Sequence, residues 1–243
     1  MSESSSAVPA PADAGESALG RLVGVFLTPV RTFASIAARP TWILPVAIGA
    51  GLSLPLSELI LSKTDWRTVV TEQVAKSGRT LTEAQLDGAI EQARRLAWLW
   101  DVIAVAAPVI LTFVIAAVLW ASCRAFGWEV RYKQSVGVTA HAYLPSVLYS
   151  LGLAAAIWNR PTVDPQKVGD LLPSNLGYFA AGADKVTHGL ASSIDLFSFW
   201  TMALLVLGLS AAAKTSRGRM AALVVTLWAL YVLGKTGVTA AFR

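Results

Sequence analysis

The chain has 243 residues, of which 55% are hydrophobic and 14% are charged, and its formal net charge is +5. Soluble domains carry about 25% charged residues, so this composition, with a mean hydropathy of +0.57, points to a membrane protein. The single cysteine, Cys123, excludes an internal disulfide and a cysteine-based metal site.

The N-terminal part of the chain is predicted to lie outside the membrane core. Residues 1–18 are rich in Ser, Ala, Pro and Glu, which predicts a disordered tail. Residues 19–40 are an amphipathic segment, and Thr28–Pro29 predicts a boundary between two short helices, because proline favours the first position of a helix. These helices either lie on the inner leaflet or pack against the cytoplasmic ends of the bundle. The first placement brings three arginines to lipid phosphates: Arg21, Arg31 and Arg39.

Residues 41–243 are predicted to form one transmembrane domain. Each of five apolar segments approaches or exceeds the roughly 20 residues that a helix needs to cross the hydrocarbon core. Their approximate ranges are 42–62, 98–123, 136–158, 190–213 and 220–240. The segments are apolar all around the helix, which argues against the buried core of a soluble protein. The predicted fold class is therefore all-α, a polytopic bundle of five transmembrane helices with N-terminal amphipathic helices.

Proline and glycine give local detail within the spans. Proline removes a backbone hydrogen bond, so kinks are predicted in the first three spans, whereas the last two contain no proline. The prolines in question are Pro45, Pro55, Pro108 and Pro145. Gly49 and Gly51 are predicted to serve close helix packing.

Two longer connections are expected on one face of the membrane. Within 63–97, a short helix is predicted around 66–76, and Thr80-Leu81-Thr82-Glu83 fits a capping box that opens a second helix running into the next span. Residues 159–189 hold several prolines and glycines, which predicts an irregular segment packed over the bundle.

The charge of the connections predicts the orientation. The short connections 124–134 and 214–219 hold six basic residues and one acid, whereas 63–97 and 159–189 hold nine basic residues and eight acids. By the positive-inside rule, the short basic connections and the N-terminus face the cytoplasm, and the C-terminus lies outside. Because the positive charge lies beside span ends, nucleic-acid binding is not expected.

Ionisable residues within spans are costly and are therefore candidates for function. Asp195 and Lys235 are predicted at similar depth on the last two helices, where they would form an ion pair. The group as a whole is interpreted either as a stabilising polar cap near the outer face or as part of a transport path. Its members are Glu58, Asp101, His141, Asp195 and Lys235.

A polar stripe is predicted on the third span. Its members recur at helical spacing, so they are expected to face protein or a wet cavity: Thr139, Tyr143, Ser146 and Ser150. His141 beside it is expected to bond to a neighbouring helix. No catalytic motif is present in the sequence, so no enzymatic activity, cofactor or metal is predicted.

Three segments resemble the Yip family, the Ypt-interacting-protein domain, in its bacterial form. They are FLTPVRTFASIAARPTWILPVAIG, YKQSVGVTAHAYLPSVLYSL and SSIDLFSFWTMALLVLGLSAAAKTSRGRMAALVVTLWALYVL, and together they place the resemblance over about residues 20–240. The resemblance implies five spans, a cytoplasmic N-terminus and no enzymatic activity. Eukaryotic relatives bind Rab-type GTPases, but the long acidic-aromatic cytoplasmic region expected of them is missing here.

The leading functional hypothesis is a non-enzymatic, multi-pass protein of a bacterial inner membrane that organises its surroundings. Its expected partners are membrane lipids, an unidentified membrane protein or a second copy of the chain. The alternative is a transporter or channel component that uses the polar cluster near the outer face.

Overall fold

The computed structural model describes residues 17–241, which fold into helices without any β-strand. The predicted disordered tail falls outside these residues apart from Ser17, which caps the first helix, and Ala18, which begins it. In chain order the α-helices are α1 (Ala18–Leu27), α2 (Pro29–Ala38), α3 (Ile43–Ser62), α4 (Trp66–Lys76), α5 (Glu83–Arg95), α6 (Trp98–Ala125), α7 (Tyr132–Ala142), α8 (Pro145–Trp158), α9 (Lys185–Ser193), α10 (Leu196–Ala213) and α11 (Arg217–Ala241).

Five helical segments are long and apolar enough to cross a membrane, which confirms the predicted number. They are α3, α6 with α5 ahead of it, α7 with α8, α10 and α11. The third span is interrupted at Tyr143 and Leu144, immediately before Pro145, as expected for a proline that cannot continue a helix. That span starts at Tyr132, earlier than predicted, because Gln134 caps the backbone N–H of Arg131.

The fourth span begins later than the sequence predicts. Asp195 is the N-cap of α10, and its Oδ2 accepts a hydrogen bond from the backbone N–H of Ser198 at 2.8 Å. The apolar residues before it belong to the separate helix α9 and to Ile194. The predicted range 190–213 placed Asp195 five residues inside the span, and this is wrong. Asp195 instead lies at the beginning of the span, as its N-cap.

The bundle has two chemically different ends. We call one the basic end, which carries α1, α2 and the turns 126–131 and 214–216. The other is the loop end, which carries the connections 63–97 and 159–195. The larger hydrophobic core lies toward the basic end, where buried side chains of α2, α6, α7, α10 and α11 meet.

Helix α2 packs its apolar face into this core. Phe33 and Ile36 are fully buried, and a Cβ placed on Gly208 of α10 would clash with Phe33 and with Val138. Of the two predicted placements, packing against the bundle is therefore the one that the apolar face of α2 adopts. Helix α1 differs, because Leu19 is 70% exposed and Leu27 is 75% exposed on its outward face.

Arg21 joins these two helices to the first span. Its side chain is only 4% exposed, and its Nη1 donates to the backbone carbonyl of Arg39 at 2.8 Å and to Thr41 Oγ1 at 3.0 Å. A third bond runs from Nη2 to Ser35 Oγ at 3.2 Å. The prediction that Arg21 faces lipid phosphates is therefore wrong, because its guanidinium donates hydrogen bonds to groups within the protein. Arg31 and Arg39 have exposed side chains and stay predicted lipid contacts.

The connection 63–97 forms a helical hairpin of α4 and α5. The predicted helix at 66–76 is present, and Asp65 caps it by accepting hydrogen bonds from Arg67 and Thr68. The capping box of α5 uses Thr82 and Gln85 and not the predicted Thr80 and Glu83, so the helix starts at residue 83.

The connection 159–195 is more ordered than predicted. Two short 3-10 helices lie in it, Pro165–Asp170 and Tyr178–Ala180. Val163 packs with Leu153 and Ile157 of α8 in a small second core, and Lys63 Nζ donates to the carbonyl of Trp158 at 3.3 Å. These contacts fasten the connection across the loop end of α3 and α8.

Candidate functional site

A cavity of about 1030 Å³ lies between α3 and α6. Helices α4 and α5 form its roof at the loop end, and the break between α7 and α8 contributes to its floor. Trp100, Ile103 and Leu111 line it while remaining more than half exposed, so the cavity opens sideways. We call it the lateral groove, because its open side lies between two helices that are long and apolar enough to span a membrane.

The lateral groove is deeper than one leaflet of a bilayer. It extends along α6 from Trp100 to Ile115, which is about 22 Å at the rise of an α-helix. Half of a hydrocarbon core measures about 15 Å. An occupant that fills the groove from the loop end therefore reaches past the middle of the membrane.

Most of the groove lining is apolar, and three of its hydroxyl groups bond to the protein itself. Ser53 donates to the carbonyl of Gly49, Thr112 to that of Pro108, and Ser146 to that of Tyr143, at distances of 2.6 to 2.8 Å. Each hydroxyl proton thus bonds to the backbone of the same span. A water molecule needs two to four polar partners to be held, so these walls are poorly suited to water.

Gly49 lies in an open part of the wall on α3. A Cβ built on Gly49 meets nothing within 4 Å, and the same is true of Gly51, which lies outside the groove. The prediction that these glycines serve close helix packing is therefore wrong. Gly49 leaves room in the groove, and Gly51 is exposed.

The mouth at the loop end is the polar part of the groove. Lys76 of α4 lies there and donates from Nζ to Gln166 Oε1 at 3.1 Å. Its other partner is Glu72, whose Oε2 is 3.8 Å away in an exposed i,i+4 pair. Trp66 and Trp100 line the same region, where an interfacial tryptophan is favourable. Among residues 17–241, Lys76 is the one charged residue that lines the groove.

The predicted ion pair between Asp195 and Lys235 is absent from the described part of the chain. Lys235 Nζ instead lies 3.5 Å from Ser193 Oγ, and Asp195 uses one oxygen for its helix cap. The other oxygen, Oδ1, is buried and has no hydrogen-bond partner within residues 17–241. The two side chains lie near the same end of the bundle, but the requirement of capping α10 determines where the carboxylate points.

The other ionisable candidates do not converge on the groove. Glu58 is exposed on α3, and Asp101 is half-buried in the first turn of α6. His141 is buried, and its Nδ1 lies 2.8 Å from the carbonyl of Gly137 on its own helix. The sequence predicted a hydrogen bond from His141 to a neighbouring helix, whereas its Nδ1 bonds within its own helix.

The polar stripe of the third span is divided by the break in that span. Tyr143 and Ser146 line the lateral groove, whereas Thr139 is buried with an unpartnered hydroxyl among the described residues. Ser150 is half-buried and lies outside the groove. The groove residues that the sequence did not single out are mostly small or apolar, and they include Ala104 and Ala107 of α6.

The described residues contain no group of three or more His, Cys, Asp or Glu side chains that could hold a metal ion. The ionisable groups outside the spans act locally. Hydrogen bonds from Thr68 lower the pKa of Asp65, and the hydrogen bond with Glu83 raises the pKa of Arg67 in the α4–α5 hairpin.

The fold defines a polytopic α-helical membrane protein, and the lateral groove is a cavity that opens between two of its spans. A family model described as the Yip1 domain matches residues 23–236, nearly the whole chain. The chain therefore belongs to the Yip1-domain family, as its sequence resemblance implied. No curated protein and no solved structure matches the chain.

Proposed function

We propose that this chain is a non-enzymatic membrane-organising protein that holds a lipid hydrocarbon chain in the lateral groove. The observation that carries the proposal is the cavity of about 1030 Å³ whose open side lies between two spans. Pockets of about 300–1,000 Å³ accommodate ligands of drug size, so the groove has room for at least one lipid chain.

The groove needs an occupant because an unfilled cavity loses dispersion contacts along its whole lining. Water fits poorly, since the hydroxyls of Ser53, Thr112 and Ser146 are already bonded to backbone carbonyls. Lipid chains surround the open side and are as apolar as the walls. A chain from the leaflet at the loop end is therefore the occupant that the surroundings supply.

The transport hypothesis receives less support from the same side chains. A transport path needs ionisable or polar groups at successive depths. Glu58, Asp195 and Lys235 lie outside the groove, and the hydroxyls of Ser53 and Thr112 within it are bonded to their own helices. A lipid-binding site requires only apolar walls and a polar mouth, and the groove has both.

The proposal includes a bacterial inner membrane, with the basic end and the N-terminus in the cytoplasm. The charge bias of the short turns supports this orientation. Cysteines introduced at Ser216 and at Ser77, each on a Cys123→Ser background, test it with a membrane-impermeant thiol reagent in intact cells. We expect labelling at residue 77 and protection at residue 216, and the reverse pattern would overturn the orientation.

The lipid proposal is tested by filling the groove. Gly49→Leu places a side chain in the open space of the groove, whereas Gly51→Leu makes the same change on the exposed face of α3. Both variants exchange glycine for a good helix former, so their effects on helix propensity match. The measurement is lipid retained after detergent extraction, read by native mass spectrometry.

We expect the parent and Gly51→Leu to retain bound lipid and Gly49→Leu to lose most of it while melting at a similar temperature. Equal lipid retention by the two variants would contradict the proposal, provided that both remain folded. If the parent protein and both variants all retain no lipid, the proposal is contradicted as well.

A further inference from the structure

The walls of the lateral groove cannot by themselves select one lipid over another. In a bilayer, a hydrocarbon chain gains little free energy by moving from its neighbours to an apolar protein surface. Any lipid chain of sufficient length therefore satisfies the deep part of the groove. Selection has to come from the mouth, where the headgroup would lie.

The mouth carries a positive charge and no negative lining residue among residues 17–241. Lys76 lies there on the last turn of α4, and Gln73 and Gln166 line the same region. Glu72 is close to Lys76, but it does not line the groove, and its contact of 3.8 Å is between exposed side chains. Such an exposed pair contributes little and does not prevent the ammonium from binding another anion.

Lys76 has hydrogen-bonding capacity left for a ligand. An ammonium group has three donors. One is used by Gln166 at 3.1 Å, and Glu72 at 3.8 Å draws on a second only weakly. The Gln166 contact also joins the end of α4 to the first turn of the 3-10 helix at Pro165–Asp170.

We propose that the lateral groove selects a lipid whose headgroup carries net negative charge, with a headgroup phosphate bound at Lys76 and a chain lying between α3 and α6. This inference rests on the proposed lipid-binding function and adds the class of lipid. A zwitterionic lipid presents its own ammonium to the same phosphate, so it gains less from Lys76. The tryptophans at the mouth, Trp66 and Trp100, suit the depth at which glycerol and headgroup meet the chains.

The test uses the full chain in nanodiscs made from equal parts of phosphatidylglycerol and phosphatidylcholine with identical acyl chains. After extraction into detergent, native mass spectrometry gives the ratio of the two lipids that stay bound. The variants are Lys76→Gln and its control Lys185→Gln, which removes an exposed positive charge at the start of α9, outside the groove.

We expect the parent and Lys185→Gln to retain mainly phosphatidylglycerol, and Lys76→Gln to lower the bound ratio about fivefold, the typical effect of one lysine near a lipid surface. An unchanged ratio in Lys76→Gln, with lipid still lost in Gly49→Leu, would overturn the headgroup assignment and leave the proposed function intact. An equal fall in both lysine variants would also overturn it, since the preference would then be a property of overall charge.

Discussion

Substitutions of Asp195 test whether this residue acts as a helix cap or as one partner of an intramembrane ion pair. In the structure its Oδ2 caps α10 through the Ser198 N–H at 2.8 Å, and Lys235 bonds to Ser193 instead. Asp195→Ala and Asp195→Ser both remove the charge and the unpartnered Oδ1, but serine keeps an oxygen that can accept the Ser198 hydrogen bond. The difference in stability between these two variants therefore measures the contribution of the capping hydrogen bond alone.

The magnitude follows from capping energetics. Replacing an N-cap acceptor by alanine costs about 1 kcal/mol. For a protein of this size, that corresponds to an apparent melting temperature about 2–4 °C lower for Asp195→Ala than for Asp195→Ser. The assay is thermal unfolding in one detergent at one scan rate. A cap role also predicts that Asp195→Ala and Lys235→Leu shift the melting temperature additively, within about 1–2 °C.

Two results would refute this reasoning. If Asp195→Ser and Asp195→Ala melt together, the Ser198 bond contributes nothing measurable to stability. If the double variant of Asp195 and Lys235 recovers much of the loss seen in either single variant, the two charges do pair in the membrane.

Three further outcomes follow from other parts of the fold. Gly208→Ala should lower the apparent melting temperature, because the added Cβ would enter a filled core at a cost of about 1–3 kcal/mol. The control, Gly234→Ala, adds a Cβ in open space and should leave the melting temperature unchanged or slightly higher. Arg21→Met should destabilise the protein by about 1–3 kcal/mol, because it removes the partly buried hydrogen bonds of a charged donor. Arg39→Met, which removes an exposed side chain, should have little effect in the same assay. Because the folded pKa of Asp65 lies below its ordinary value of 3.8, its cap stabilises α4 above that pH and is lost as the pH falls through the lower folded value. Hydrogen exchange corrected for intrinsic rates should show protection in the first turn of α4 falling only in that acid range, and protection lost well above pH 4 would contradict the assignment.

Local signals in the sequence were sufficient for the number of spans and for the division of the N-terminal segment into two helices. Span number depends on the length of apolar segments, and the α1–α2 boundary at Thr28–Pro29 depends on the fixed backbone of proline. The start of α10 was also encoded locally, since Asp195 followed by Ser198 fits a capped N-terminus. The small and apolar residues 190–194 before Asp195 obscured that signal, which is why the predicted span began too early.

The sequence could not say what covers each apolar face. Leu27 and Phe33 occupy apolar positions on two similar amphipathic helices, yet Leu27 is exposed and Phe33 is buried. Amphipathic spacing is satisfied equally by a leaflet and by a protein core. The lateral groove was hidden for a similar reason, because a glycine such as Gly49 is compatible with a close helix contact or with an open wall.

The most direct measurement of the central claim is the cryo-EM map of the protein in a lipid nanodisc. We expect an elongated density between α3 and α6 that begins beside Lys76 and extends past Gly49 toward Ile115. A map in which α3 and α6 close on each other there, so that side chains fill the space, would contradict the claim that the groove holds a lipid chain.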